Sequence, residues 1–226
     1  MTPALGLDTG VMVAAVLGGP DQYWQDWVRF DGREVLDRFL PKSALEEFTF
    51  KVDGIGSEKS GLLQEILSDG FLAIFSVMGR EPDSISLATL NLGYNRTQRV
   101  ARMLPVLKGL IEGTWDSNLA LDELRKYDAT TFARRKAFLD RHLIYEPRDE
   151  AQADRLNAGL LGIIPGGGHS WKWDCKILSQ VGMYNAERSG PVDFVTEDRT
   201  HMRPHSAAIR AQTGIRTLRT LAGIPI

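Results

Sequence analysis

The chain has 226 residues, of which 43% are hydrophobic and 25% are charged, and its net charge is −2. This is the composition of an ordinary globular protein, and the length suits one large domain with a buried core. The single cysteine, Cys175, excludes an internal disulfide and a thiolate metal site. Asp8 interrupts an apolar N-terminal run that has no basic residue before it, so we expect no signal peptide, no membrane partner and a cytoplasmic location.

Apolar runs and chain breakers predict that the first elements alternate between strand and helix. Residues 4–8 are expected to form a short buried strand that ends at Asp8. The apolar residues 11–17 continue as a helix or as a longer strand, because periodicity alone does not separate the two. The next elements are predicted as a short helix, a second strand and a helix with proline in its first turn, at 21–30, 37–40 and 41–50.

The middle of the chain is predicted to be mostly helical. Residues 96–112 repeat apolar side chains at i, i+3, i+4 and i+7, and Pro105 predicts a kink or a break there. Asp174 is expected to begin a helix directly after the glycine loop 163–173. The later helices are predicted at 119–127, 130–144, 150–161 and 174–187.

The order of these elements predicts an α/β fold with a mostly parallel central sheet flanked by helices. A strand at 191–196 and a helix with a final strand within 206–222 complete the sheet. We expect one domain whose core comprises 1–52 and 150–226, with a helical insertion at about 53–149. In such sheets the ligand site lies at the carboxyl ends of the strands.

Four carboxylates stand near positions of this kind. Asp8 ends the first strand, Glu47 lies on the helix after the second strand, Asp174 begins a helix, and Asp198 follows the last clear strand. Mg²⁺ and Mn²⁺ prefer oxygen ligands, and clustered carboxylates are stable mainly when a cation binds between them. Such a cation can hold a phosphate oxygen and activate a water. The pattern therefore indicates metal-assisted phosphodiester chemistry.

The segments around these acids resemble the motifs of the PIN-domain nuclease family. The four matching segments are LGLDTGVMVAAVL, PKSALEEF, WDCKILSQVGMYNAE and VDFVTEDRTHM, in the family's order. The resemblance implies a PIN-like fold in which Asp8, Glu47, Asp174 and Asp198 are catalytic and ligate one or two divalent ions, Mg²⁺ or Mn²⁺. It also implies an endoribonuclease, with RNA favoured over DNA as the nucleic-acid partner.

The resemblance implies further roles around the acids. Thr196 would assist through its hydroxyl, and Thr9 would support Asp8. Glu46 is a rival for the second acid, but we prefer Glu47 because an aromatic residue follows it, as in the family motif. Gly10 departs from the asparagine or serine that the family usually has at that place.

The C-terminal tail carries charge of one sign. Residues 199–226 contain arginines and histidines but no acid, which favours an anionic partner. Arg199, Arg203 and Arg210 are the candidates for contact with nucleic acid. The alternative is that the arginines of the tail pair with acids elsewhere in the fold. The sequence leaves a homo-oligomer open.

Several other residues near these motifs have two interpretations. His201 could serve as an acid or base beside the carboxylates. Trp171 and Trp173 could stack on bases, but buried packing is the preferred interpretation. Asp193 and Glu197 are predicted to be surface residues.

Two rival functions fit parts of the sequence. The GLDTG segment is also the signature of aspartic proteases, which need two such aspartates and an all-β fold. This chain has one copy of the signature and much helical periodicity. The other rival is a PIN-like module that binds nucleic acid or protein without cleaving, and the four intact acids argue against it.

Overall fold

A computed structural model of the chain describes residues 3–18, 22–32, 37–52, 117–166, 169–198 and 201–224. The helix predicted at 96–112, its kink at Pro105, and Arg199 lie outside these ranges. The described chain begins with β1 (Ala4–Leu7), α1 (Thr9–Leu17), α2 (Gln22–Asp31), β2 (Arg38–Pro41) and α3 (Lys42–Val52). It continues with α4 (Ser117–Arg141), β3 (Leu143–Tyr145), α5 (Glu150–Ile163), α6 (His169–Glu187), β4 (Val192–Val195), α7 (Ser206–Thr213) and β5 (Thr217–Arg219).

The five strands form one parallel sheet in the order β3-β2-β1-β4-β5. The predicted α/β class with a parallel sheet flanked by helices is therefore confirmed. Every residue of β1 is buried, as expected of a central strand covered on both faces. Packing over it is close at Gly6, where an added Cβ would lie 2.9 Å from the ring of Phe39.

Residues 11–17, which the sequence left open between helix and strand, are helical. α1 is apolar almost all round, and Val11, Met12, Val16 and Leu17 are fully buried. A helix that is buried on nearly all sides has no polar face. Periodicity therefore could not identify it.

Two predicted elements were wrong in extent. The helix predicted at 130–144 ends at Arg141, and Leu143–Tyr145 form β3, which pairs with β2. A strand this short is defined by its partner rather than by its own pattern. The loop predicted at 163–173 is shorter than expected, because α6 begins at His169. Asp174 therefore lies in the second turn of α6 and does not begin the helix.

Contacts within the chain divide it into two compact units. The first comprises Met1–Ala15, Gln22–Phe48 and Ala137–Ile226, and it holds all five strands. This unit resumes before residue 150 because β3 belongs to the sheet. The second comprises Val16–Asp21 and Thr49–Lys136.

No helix in the described part of the chain combines the length and apolar character needed to cross a bilayer.

Candidate metal centre

Asp8 directly follows β1 at the carboxyl end of the sheet, and its side chain is fixed from two sides. Its backbone N–H donates to the carbonyl oxygen of Val195, which ties the strand end to β4. Its Oδ1 accepts from the backbone N–H of Thr9 at 2.8 Å, and its Oδ2 accepts from the hydroxyl of Thr196 at 2.7 Å. The residue is only 6% exposed. Asp8 is thus a buried, oriented carboxylate.

Glu47 reaches the same place from α3. It is 1% exposed, and its Oε2 accepts from the hydroxyl of Thr9 at 2.5 Å. Thr9 therefore connects the two acids, with its N–H on Asp8 and its hydroxyl on Glu47. Glu46 points away, because it is partly exposed and forms an ion pair with Lys176 at 2.9 Å. Of the two rival glutamates, the structure directs Glu47 toward Asp8.

The surroundings of Asp8 favour its protonated form. Burial, together with the nearby charges of Glu47 and Asp174, raises the pKa of Asp8 to about 7, against the lowering effect of hydrogen bonds from Thr196 and Thr9. Glu47 and Asp174 are therefore close enough to repel Asp8. A buried carboxylate whose ionisation is opposed by two neighbouring acids is an arrangement that a bound cation relieves.

Thr196 connects Asp8 to the fourth predicted acid. It follows β4 and is fully buried, and its hydroxyl donates to Asp8 while accepting from the backbone N–H of Asp198 at 3.0 Å. Asp198 in turn accepts from the backbone N–H of His201 at 2.7 Å. This is the pattern of a helix N-cap, in which an aspartate holds the N–H three residues on. It fixes the turn that carries His201.

Asp174, Asp198 and His201 form a compact group. The Nδ1 of His201 lies 3.1 Å from the Oδ2 of Asp174 and 3.5 Å from the Oδ2 of Asp198. One ligand atom from each of the three lies within 4.8 Å of the others, which is a span that one metal ion can bridge. Protonated, His201 offsets the two negative charges, whereas neutral imidazole offers Nδ1 as a ligand.

The structure thus brings all four predicted acids to the carboxyl edge of the sheet. Thr9 connects Asp8 to Glu47, and the charge of Asp174 acts on Asp8. Thr196 connects Asp198 to Asp8, and His201 lies between Asp198 and Asp174. The sequence analysis gave His201 only a general role as acid or base. The signal that could have placed it is its spacing of three from Asp198.

The arginine-rich tail divides into two sets. Arg216 and Arg219 both donate to Asp193, at distances of 2.6 to 2.8 Å. Asp193 is 1% exposed, so its predicted surface position is wrong, because β4 is covered and the two arginines of the β5 region balance the charge. Arg203 and Arg210 are exposed and form no ion pair with another described residue.

Glu197 is half-buried and holds the C-terminal turn. Its Oε1 accepts from the backbone N–H of Leu221 at 2.7 Å.

Three of these residues could hold a metal ion. Asp174 and Asp198 offer carboxylate oxygens, and His201 adds one imidazole nitrogen. Carboxylate oxygens are ligands that suit Mg²⁺ and Mn²⁺.

Comparison of the chain with protein-family models, with curated proteins and with solved structures found no match.

Proposed function

We propose that this protein is a divalent-metal-dependent nuclease with a PIN-like fold, and that RNA is its preferred substrate. The observation that carries the proposal is the convergence of Asp8, Glu47 and Asp174 with the Asp174–Asp198–His201 group. The five-stranded parallel sheet is compatible with the fold that the sequence motifs imply. The preference for RNA comes from the resemblance of those motifs alone.

The energetic argument is that these acids are costly without a cation. Buried carboxylates lose hydration and repel one another, so the cluster lowers the stability of the metal-free fold. Here the carboxyl groups are also held in orientation by the hydroxyls of Thr9 and Thr196. Hydrogen bonds that orient a carboxylate in this way are typical around metal ligands. They support a site built to receive an ion.

Each residue then has a role in phosphodiester hydrolysis. The bound ion would supply Lewis acidity toward a phosphate oxygen and a more acidic water. Asp8, Glu47, Asp174 and Asp198 would hold the ion. His201 would complete the ligand set when its imidazole is neutral. The hydrogen bond from its backbone N–H to Asp198 positions the residue.

The rival readings have less support. An aspartic protease needs an all-β fold, whereas strands and helices alternate in the described residues. Non-catalytic binding does not account for three mutually repelling buried acids.

Cleavage of matched single-stranded RNA and DNA in Mn²⁺ and in Mg²⁺ tests the proposal. We expect the wild-type chain to cut RNA with either ion, and Asp174→Asn to reduce the rate to background. The matched control is Asp154→Asn, which removes the charge of an exposed acid on α5 and should leave the rate unchanged. Failure of the wild-type chain to cut either strand would overturn the proposal, as would full activity of Asp174→Asn.

A further inference from the structure

The acids of α3 and α6 each have a neighbour that points to the outside. Glu47 on α3 and Asp174 on α6 are buried, whereas their neighbours Glu46 and Trp173 are partly exposed. Lys176, one turn beyond Trp173, forms the ion pair with Glu46. The side chains of Trp173, Lys176 and Glu46 therefore make a rim on the two helices that carry Glu47 and Asp174.

The rim is held in place by contacts between the two helices. The Oε1 of Gln180, which lies on the same stripe of α6 as Trp173 and Lys176, accepts from the backbone N–H and the hydroxyl of Ser43 at 2.9 and 2.8 Å. These bonds are buried and fix the start of α3 against α6. The two helices that carry the rim are therefore fixed against each other.

Trp173 differs from its neighbour Trp171 in what it packs against. A Cβ added at Gly166 would lie 2.5 Å from Cγ of Trp171, so that ring is packed on the backbone before α6. Trp173 is partly exposed, as Trp171 is, and the ammonium of Lys176 lies over its ring, 5.4 Å from the centroid. A partly exposed indole beside a cation can receive a base and its phosphate together.

The ion pair of Lys176 can be exchanged at little cost. Lys176 and Glu46 are 47% and 39% exposed, and exposed pairs contribute little to stability. A phosphate can therefore draw the ammonium away from Glu46. The rim would then offer one stacking surface and one positive charge next to the metal-binding acids.

We propose that Trp173 and Lys176 form a stacking step that selects single-stranded nucleic acid, with one base on the indole and the adjoining phosphate on the ammonium. This inference rests on the proposed function, since it assigns substrate choice to the border of the same site. A duplex keeps its bases stacked inside and would have to unstack one to use the step. The step therefore discriminates by strand state rather than by base sequence.

Binding of labelled oligonucleotides in Ca²⁺, with the strands checked afterwards for cleavage, tests the inference. The probes are one sequence as single-stranded RNA, as single-stranded DNA and as the DNA duplex. We expect Trp173→Ala to weaken binding of both single strands by about 5- to 100-fold while hardly changing duplex binding. Trp173→Phe should restore most of the loss, and Lys176→Ala should reduce the salt dependence by about one phosphate contact.

The matched control is Leu143→Ala, which shortens an apolar side chain that is 54% exposed on β3. It should bind as the wild-type chain does. Fluorescence adds a readout that does not depend on cleavage. The chain has five tryptophans, so the quenching on strand binding is assigned by its loss in Trp173→Phe.

The outcomes separate the two proposals. Strand binding that quenches Trp173 without any cleavage in Mn²⁺ would sustain this inference and overturn the nuclease. Cleavage that is indifferent to Trp173→Ala would sustain the nuclease and overturn this inference. Absence of single-strand binding by the folded wild-type chain would also overturn it.

Discussion

At the scale of single residues, hydrogen bonds orient the carboxylate of Asp8, while burial and neighbouring negative charges disfavour its ionised form. Two hydrogen bonds fix its oxygens, but burial and the charges of Glu47 and Asp174 raise its pKa to about 7. Below the ordinary pKa of 3.8, Asp8 is protonated in both the folded and the unfolded states. Between 3.8 and about 7 only the folded state keeps the proton, so this group's contribution to stability falls as the pH rises.

Replacing Asp8 with asparagine should therefore stabilise the metal-free protein at high pH. We expect Asp8→Asn to raise the melting temperature at pH 8 by roughly 2 to 8 °C relative to the wild-type chain. The difference should shrink as the pH falls below 7. Thermal melts across this range in a chelator measure it. A wild-type chain that is more stable than the variant at pH 8 would contradict the assignment.

Thr196 should matter through its one hydroxyl, which serves two acids. Thr196→Val removes the donor to Asp8 and the acceptor for the N–H of Asp198. We expect about 1 to 3 kcal/mol of lost stability and about 10- to 100-fold weaker Mn²⁺ binding by calorimetry. Thr217→Val on β5 is the control, because the hydroxyl of Thr217 makes only a 3.4 Å contact with the carbonyl of Leu218. Equal Mn²⁺ affinity in both variants would argue against an orienting role.

At the scale of elements, the edge strand β5 is attached through a buried charge. Asp193 on β4 is 1% exposed and accepts from Arg216 and Arg219. Removing one member of such a group leaves charges unpaired and typically costs about 3 to 5 kcal/mol. The pairing therefore sets the position of β5 and of the turn held by Glu197.

We accordingly expect Asp193→Ala to destabilise the fold by about 3 to 5 kcal/mol in a denaturant titration. Asp37→Ala is the matched control, since Asp37 is 53% exposed in its pair with Arg188 and should cost at most about 1 kcal/mol. Similar losses in the two variants would show that burial of Asp193 is not what makes its charge important.

The same scale explains what the sequence could and could not predict. β1, β2 and β4 carry apolar runs that end at polar residues, so their positions and those of Asp8 and Asp198 followed from the pattern. β3 is three residues long and is defined by pairing with β2, which no local pattern reveals. Likewise, the burial of Asp193 depends on Arg216 and Arg219 of the β5 region.

Side-chain direction within an element was a further limit. Adjacent glutamates on α3 differ by about a hundred degrees around the helix axis, and only tertiary packing determines which of them faces the sheet. The start of α6 at His169 was not predicted, because glycines precede it. Asp174 therefore lies in the second turn of the helix and not at its start, as had been expected. His201 was placed beside the acids by a turn and not by a motif.

At the scale of the whole molecule, the site exists only in the folded chain. Its acids come from the ends of β1 and β4 and from α3 and α6, which lie far apart in the sequence. A cation that bridges them binds the native state and not the unfolded chain, so it must stabilise the entire sheet-bearing unit.

The melting temperature with and without Mn²⁺ tests this account most directly. At a Mn²⁺ concentration about a hundredfold above its Kd, linkage predicts about 2.7 kcal/mol of added stability for the wild-type chain. That corresponds to a rise of roughly 5 to 10 °C. Asp8→Asn and Asp174→Asn should lose the rise, and Asp154→Asn should keep it. A wild-type melting temperature that Mn²⁺ and Mg²⁺ both leave unchanged would contradict the account.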